Sequence, residues 1–178
     1  MLVNKIIWVT LVIFINDMIQ ARVFDMDYLK KIEDYYKNCV ADYELIYNRE
    51  FIEIYLDAEK HINEIFSLMI NKNTNSLQKM ICIYLLGKIP KDKYINFVRE
   101  YFNHIKSSKL DENHVLESLI SPGWVWNNAL VVRYKNNEVR KLLNEISNYD
   151  NKLSETVSYI LSGRMYENYI LAHIDKRF

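Results

Sequence analysis

Two histidine–glutamate pairs have the residue types and spacing that come nearest to a metal site in this chain. His61 and Glu64 are three residues apart, and Glu100 and His104 are four apart, so each pair projects from one side of a helix. Two such helices facing each other would offer two imidazoles and two carboxylates to a divalent metal. On a helical wheel, however, both pairs fall beside the apolar stripes of their helices. We therefore expect surface residues there, with no metal and no other cofactor.

Nucleophilic catalysis has no recognisable pattern in the sequence. There is no GxSxG and no HExxH, and neither cysteine lies in the local sequence of a cysteine protease. Cys39 and Cys82 lie in apolar sequence with helical spacing, where a reduced thiol behaves as a small hydrophobe. In an oxidising compartment they could instead pair, and the sequence leaves both states open. We predict that the protein is not an enzyme.

The segment SPGWVWNN at residues 121–128 is the sharpest candidate for a binding site. Its two tryptophans, Trp124 and Trp126, are two positions apart and therefore point to different sides of a helix. Because tryptophan is enriched in binding hot spots, we predict that Trp124 contacts a partner, together with Asn127 and Asn128. We expect Trp126 to lie in the core. The alternative, that Trp124 is a half-buried packing residue, stays open.

Tyrosine is the other unusual feature, with 14 in the chain. The first two predicted helices are crowded with them, including Tyr35, Tyr36, Tyr43, Tyr47 and Tyr55. Tyr covers apolar surface while its hydroxyl stays in water. Its ordering cost is low, which favours protein recognition. We name Tyr35, Tyr36 and Tyr47 as binding candidates. A genome rich in A and T would raise Tyr, Ile, Asn and Lys together, which weakens this signal.

Composition excludes several function classes. The chain has 178 residues, 50% of them hydrophobic and 26% charged, which is typical of a globular protein rather than a disordered one. Its 3 Gly are too few and too scattered for a glycine-rich phosphate loop. Lys and Arg together number 23, as do Asp and Glu, so the net charge is zero. A chain without basic excess is a poor candidate for nucleic-acid binding.

The first 21 residues have the pattern of a secretory signal peptide. Lys5 precedes an uncharged apolar run at residues 6–15, and Ala21 offers a small residue at the cleavage position. The run has about half of the roughly 20 residues that a membrane-spanning helix needs. We expect cleavage near Ala21, no stable membrane span afterwards, and a periplasmic or secreted protein. A retained anchor and a buried first helix are the alternatives.

The rest of the chain, residues 22–178, is predicted to form a single all-helical domain. Apolar residues recur three and four positions apart, and no segment alternates with the period of a strand. We place N-caps at Asp25, Ser76 and Asp111, and helix-ending glycines at Gly87 and Gly163. The predicted helices cover residues 25–47, 50–70, 76–86, 90–105, 111–120, 124–134, 138–147, 153–162 and 166–174.

An internal similarity appears at an offset of 45 residues. Apolar positions from Ile81 to Tyr101 fall onto apolar positions from Trp126 to Ile146, each copy reading as helix, polar turn, helix. The period resembles that of HEAT-type repeats, which is about 40–47 residues. We predict an all-α fold of antiparallel helical hairpins, stacked as a HEAT-like right-handed array or packed as a compact bundle.

The order of these features resembles the small helical immunity proteins that bacteria export to protect their envelope from secreted antibacterial toxins. The shared features are the signal peptide, the compact repeat-like helices and the aromatic-rich face. The resemblance implies a protein partner, a toxin whose active site the chain would occlude. Two alternatives stay open: an envelope adaptor or assembly factor, and a helical periplasmic enzyme or metal-binding bundle.

Overall fold

Every regular element of the described chain is a helix. The computed structural model describes residues 24–121 and 130–168, and these ranges contain no strand, so the all-α fold is confirmed. The α-helices are α1 (Met26–Tyr36), α2 (Arg49–Leu56), α3 (Ile62–Ile70), α4 (Ser76–Leu85), α5 (Lys91–Ser108), α6 (Asn113–Ile120), α7 (Asn137–Tyr149) and α8 (Asn151–Leu161). Short 3₁₀ helices cover Asp42–Tyr47, Leu86–Lys88 and Leu130–Arg133.

Helix α4 lies at the centre of the packing. It contacts α1, α2, α3 and α6, and it is buried over nearly its whole circumference. A helix that is apolar on most sides is stable only inside a protein. The two polar residues that α4 nevertheless buries, Gln78 and Lys79, must therefore find partners within the fold.

A continuous apolar core joins the helices from Phe24 to Ile160. Its largest fully buried side chains include Tyr94, Tyr101 and Phe51. The hydroxyl of Tyr94 donates to the carbonyl of Leu119 at 2.7 Å, which ties α5 to α6. Each fully buried aliphatic or aromatic side chain contributes about 1.5–3 kcal/mol to folding.

The two longest predicted helices are wrong, because each is interrupted. The helix predicted over residues 25–47 ends at Tyr36, and a 3₁₀ helix starts at Asp42. The turn between them is stabilised by the Asn38 side chain, which donates to the carbonyl of Asp34 at 2.9 Å. The helix predicted over residues 50–70 is broken by turns at residues 57–61. Apolar spacing continues across both breaks because the segments on either side face the same core.

The predicted N-caps have different outcomes. Asp25 is confirmed, since its carboxylate accepts from the backbone N–H of Tyr28 at 3.0 Å. Ser76 is wrong by one residue: Asn75 is the N-cap of α4 and forms a capping box with Gln78. Asp111 is wrong as well, because Glu112 occupies the N-cap position of α6 without a side-chain cap bond.

The two predicted helix-ending glycines also differ. Gly163 has a φ of +81°, the left-handed conformation that favours glycine. Gly87 does not adopt that conformation and lies within the 3₁₀ helix Leu86–Lys88. The ring of Tyr55 packs against it, and a Cβ at this position would come within 3.2 Å of the Tyr55 Cε2 atom. Glycine is therefore used at position 87 for close packing.

The paired positions of the internal similarity share their burial wherever the structure describes them. Leu85 and Tyr94 in the first copy are buried, as are their counterparts Leu130 and Val139 in the second. Burial alone does not establish repeat stacking, which stays a prediction.

The predicted signal peptide lies outside the described residues. Within the described ranges, no helix combines the length and the apolar character needed to cross a membrane.

Candidate functional site

Exposed apolar side chains concentrate in one part of the fold. Among the described residues, eight large apolar side chains are exposed, and six of them lie between residues 35 and 56. We define the aromatic surface as Tyr35, Val40, Tyr43, Ile46 and Tyr47. Val40 is 94% exposed, Tyr47 72% and Tyr43 58%, so these side chains contribute little to the core.

Local geometry brings the five residues of the aromatic surface into one patch. Tyr43, Ile46 and Tyr47 share a six-residue 3₁₀ helix, which is about 12 Å long at about 2 Å per residue. Glu44 of the same helix accepts from the Tyr35 hydroxyl through its carbonyl, at 3.5 Å. Its side-chain Oε2 accepts from the backbone N–H of Val40 at 3.3 Å. The end of α1 and the following turn are therefore held against the 3₁₀ helix.

Asp42 fixes this 3₁₀ helix to the core. Its Oδ2 accepts from the Tyr84 hydroxyl at 2.9 Å, and its Oδ1 accepts from the Tyr36 hydroxyl. The two tyrosine rings meet edge to face with centroids 6.2 Å apart. Burial is the main cause that raises the pKa of both tyrosines. For Tyr36 the hydrogen bond to Asp42 comes second, and for Tyr84 the interaction with Tyr36 comes second and the hydrogen bond to Asp42 third. Both hydroxyls therefore stay protonated and donate to Asp42.

The predicted tyrosines have different surroundings. Tyr47 is 72% exposed, whereas Tyr35, the least exposed residue of the aromatic surface, is 36% exposed. Partial desolvation, with Cys39, Glu44 and Tyr47 nearby, raises the pKa of Tyr35, so its hydroxyl remains a donor. Tyr36 is partly buried and supports the surface through Asp42. Tyr43 is not among the binding residues predicted from the sequence, although it is more exposed than Tyr35.

Carboxylates surround the aromatic surface. Residues 33–53 contain six acidic and two basic side chains. Lys37 pairs with Glu33 at 3.0 Å, and Arg49 pairs with Glu53 at 2.8 Å, so both cations are already engaged. Within the part of the chain that the structure describes, Asp42, Glu44 and Glu50 form no ion pair; Glu50 accepts only from Asn48, at 3.4 Å. The aromatic surface is thus locally negative in a chain of zero net charge.

A buried carboxylate beneath this region ties α1 to α4. Glu33 accepts from the Asn75 side chain at 3.1 Å, from Gln78 at 2.8 Å and from Lys37 at 3.0 Å. Burial opposes its ionisation, but the hydrogen bonds from Lys37, Asn75 and Gln78 outweigh it and hold the pKa of Glu33 below its ordinary value. This cluster around Glu33 was not predicted from the sequence. The N-x-x-Q spacing of Asn75 and Gln78 is its only local signal.

A second buried cluster joins α4, α5 and α6. Lys79 is 6% exposed and pairs with Glu112, which also accepts from the Tyr101 hydroxyl. Burial, and then the hydrogen bond to Glu112, raise the pKa of Tyr101. Every charged group here has a partner, which is what a buried ion pair requires in order to be tolerated. The cluster serves packing of the three helices.

The histidine–glutamate pairs do not assemble a metal site. Nδ1 of His61 lies 4.0 Å from Oε1 of Glu64, and the His61 side chain is only 14% exposed, so its predicted surface position is wrong. Glu100 lines a cleft of about 440 Å³ between α3 and α5, whose lining does not include His61 or His104. In residues 24–121 and 130–168, no group of three or more His, Cys, Asp or Glu is placed to hold a metal ion.

The two cysteines are separate thiols in the structure. Cys82 is completely buried in α4, and Cys39 is partly exposed in the turn after α1. Burial raises the pKa of both thiols, so neither is activated as a nucleophile.

The remaining predicted binding residues, Trp124, Asn127 and Asn128, lie outside the described residues, as does Trp126. Their assignment to a partner surface and to the core therefore stays a prediction.

Comparison with protein-family models, with curated proteins and with solved structures found no match to this chain. Function must therefore be inferred from the chain's own surface.

Proposed function

We propose that this chain is a non-enzymatic protein-binding module of the bacterial envelope, an immunity protein that occludes a secreted antibacterial toxin. The observation that carries the proposal is the aromatic surface, a group of exposed apolar side chains on a segment fixed to the core by Asp42. Such patches are rare on monomers without partners, and tyrosine is a preferred hot-spot residue.

Pre-organisation makes this surface suitable for tight binding. A loop that must become ordered on association loses binding free energy, whereas a loop already held in place does not. Here Tyr36 and Tyr84 hold Asp42, and Tyr35 and Val40 bond to Glu44. The exposed rings of Tyr43 and Tyr47 then add contact area with few rotatable bonds to order.

Occlusion of an active site needs contact area and charge fit but no catalytic groups of its own. The chain offers a negative aromatic surface, and burial raises the pKa of the Cys82 thiol. The predicted signal peptide at residues 1–21 supports a periplasmic or secreted location, where a secreted toxin would act. We also keep the prediction that Trp124, Asn127 and Asn128 contact a partner. An envelope adaptor could use the same aromatic surface, but it would not protect cells from killing.

Protection from killing is the experiment that tests the proposal. An immunity gene lies beside the gene of its toxin, so each adjacent gene product is exported in a sensitive host with and without this chain. Wild-type protein should restore survival against one of them, and the Tyr43→Ala/Tyr47→Ala variant should lose at least about tenfold in protection, since hot-spot truncation costs about 2 kcal/mol or more of binding.

Tyr166→Ala is the matched control, because Tyr166 is as exposed as Tyr35 but lies near the other end of the described chain. It should protect as wild type does. Protection against none of the adjacent products, or full protection by the double variant, would contradict the proposal.

A further inference from the structure

We infer that the partner of the aromatic surface is a protein that presents a cationic, arginine-rich or lysine-rich face. This inference rests on the proposed protein-binding function and adds the chemistry of the partner. It follows from three carboxylates, those of Asp42, Glu44 and Glu50, that lie on the same segment as the exposed apolar side chains and have no ion-pair partner among the described residues.

The arrangement of rings and carboxylates suits guanidinium groups. In a 3₁₀ helix, side chains three residues apart lie above one another, so Tyr43 lies over Ile46 and Glu44 lies over Tyr47. Glu44 and Tyr47, stacked in this way, offer one planar cation both an ion pair with the carboxylate and a contact with the aromatic ring. Arginine satisfies both, and lysine satisfies them less completely.

Local charge also sets which occupants are unfavourable. A second copy packed through the same surface would bring the acidic patch of Asp42, Glu44 and Glu50 against an identical acidic patch, since a two-fold interface joins identical surfaces. Like charges opposed in an interface are strongly unfavourable. An anionic lipid surface would repel the same carboxylates. Of these three occupants, the cationic protein face is the one that neutralises the carboxylates.

The test selects ligands without assuming the partner's identity. A library of random 12-residue peptides is displayed and selected on the immobilised full chain, and selected peptides are then titrated against purified variants. We expect the selected peptides to be enriched in Arg and Lys together with an apolar residue. Their Kd should rise about tenfold between 50 and 500 mM NaCl, because salt screens charge pairs.

Two variants separate charge from contact area. Glu44→Gln/Glu50→Gln keeps the hydrogen-bond acceptors and removes both charges, and it should weaken peptide binding about tenfold, a loss of about 1.4 kcal/mol. Glu145→Gln/Glu167→Gln is the matched control, with two exposed glutamates outside residues 33–53, and it should bind as wild type does. Tyr43→Ala/Tyr47→Ala should abolish binding.

Neutral or acidic ligands that need Tyr43 and Tyr47 but not the carboxylates would overturn the cationic inference while leaving the protein-binding function intact. Ligands indifferent to both variants, or no enriched ligand at all, would count against both. Binding to phosphatidylglycerol vesicles, or a dimer that only the tyrosine variant dissociates, would also overturn the inference by assigning the surface to a lipid or to a second copy.

Discussion

At the scale of single residues, Asp42 connects the 3₁₀ helix of the aromatic surface to the core. Its carboxylate accepts from two tyrosine hydroxyls, and one of these, on Tyr84, belongs to a residue that is 8% exposed. A buried hydroxyl that loses its acceptor keeps the full cost of desolvation. The side chain thereby links core stability to the position of the aromatic surface.

The first prediction follows from that linkage. Asp42→Ala should lower the free energy of unfolding by about 1–3 kcal/mol, measured by chemical denaturation. Asp57→Ala is the control, since Asp57 forms only an exposed ion pair with Lys60 at 2.9 Å, and such pairs contribute about 0–1 kcal/mol. Equal effects of the two substitutions would show that the tyrosine hydroxyls do not depend on Asp42.

Glu33 gives a prediction about acid stability. Its pKa in the folded protein lies below the ordinary value of 4.5, so ionisation of Glu33 favours the folded state. That contribution is present at pH values above the unfolded pKa and is lost as the pH falls through the folded pKa. Wild-type stability should therefore begin to fall near pH 4.5 and continue to fall below it.

Denaturation midpoints at pH 7, 5, 4 and 3, chosen to bracket the ordinary glutamate pKa of 4.5, test this prediction. Glu33→Gln should be less stable than wild type at pH 7 and should lose less stability on acidification. Parallel pH profiles for the two proteins would mean that Glu33 contributes nothing to the acid dependence.

At the scale of elements, apolar spacing identified the helical segments and failed at their interruptions. Residues 25–47 and 50–70 keep one continuous stripe in the sequence, although each contains a turn. The apolar stripe indicates which side of a segment faces the core. Segments before and after a turn face the same core, so the stripe continues across the turn. What ends α1 is local competition from the Asn38 side chain and a bond between Asp42 and Tyr84, 42 residues away.

The N-terminus of α4 provides the prediction at this scale. Asn75 accepts from the Gln78 backbone N–H at 2.9 Å and also donates to Glu33. Asn75→Ala should therefore cost about 1 kcal/mol or more in the free energy of unfolding. Ser76→Ala, at the position predicted from sequence, should cost almost nothing. The reverse order in thermal or chemical denaturation would contradict the observed capping box.

At the scale of the whole molecule, the fold class was predictable from the sequence. The aromatic surface and the contacts that hold it to the core were predictable only in part. Residue type made Tyr47 a candidate, because tyrosine tolerates water, but it does not determine exposure: Tyr94 is fully buried. The support given by Tyr84 and the burial of Glu33 depend on contacts between residues more than 40 positions apart. No local pattern contains that information.

Core packing gives the prediction for the whole fold. Leu85 is 0% exposed and Leu142 is 2% exposed, so Leu85→Ala and Leu142→Ala should each destabilise the protein by about 2–5 kcal/mol. Leu56→Ala is the matched control, because Leu56 is 66% exposed and surface substitutions stay within about 0.5 kcal/mol. Circular dichroism of the wild-type protein should be dominated by helix. Neutral effects at both buried leucines would contradict the core described above.

The central claim is that the aromatic surface binds a protein partner, and the affinity of single tyrosine variants tests it most directly. Once the protection assay identifies a toxin, calorimetric titration compares wild type, Tyr43→Ala, Tyr47→Ala and Tyr166→Ala against it. We predict that Tyr43→Ala or Tyr47→Ala raises Kd about 30-fold or more, with an unchanged melting temperature. Affinities equal to wild type for both variants, with the toxin still bound, would place the contact elsewhere and contradict the account.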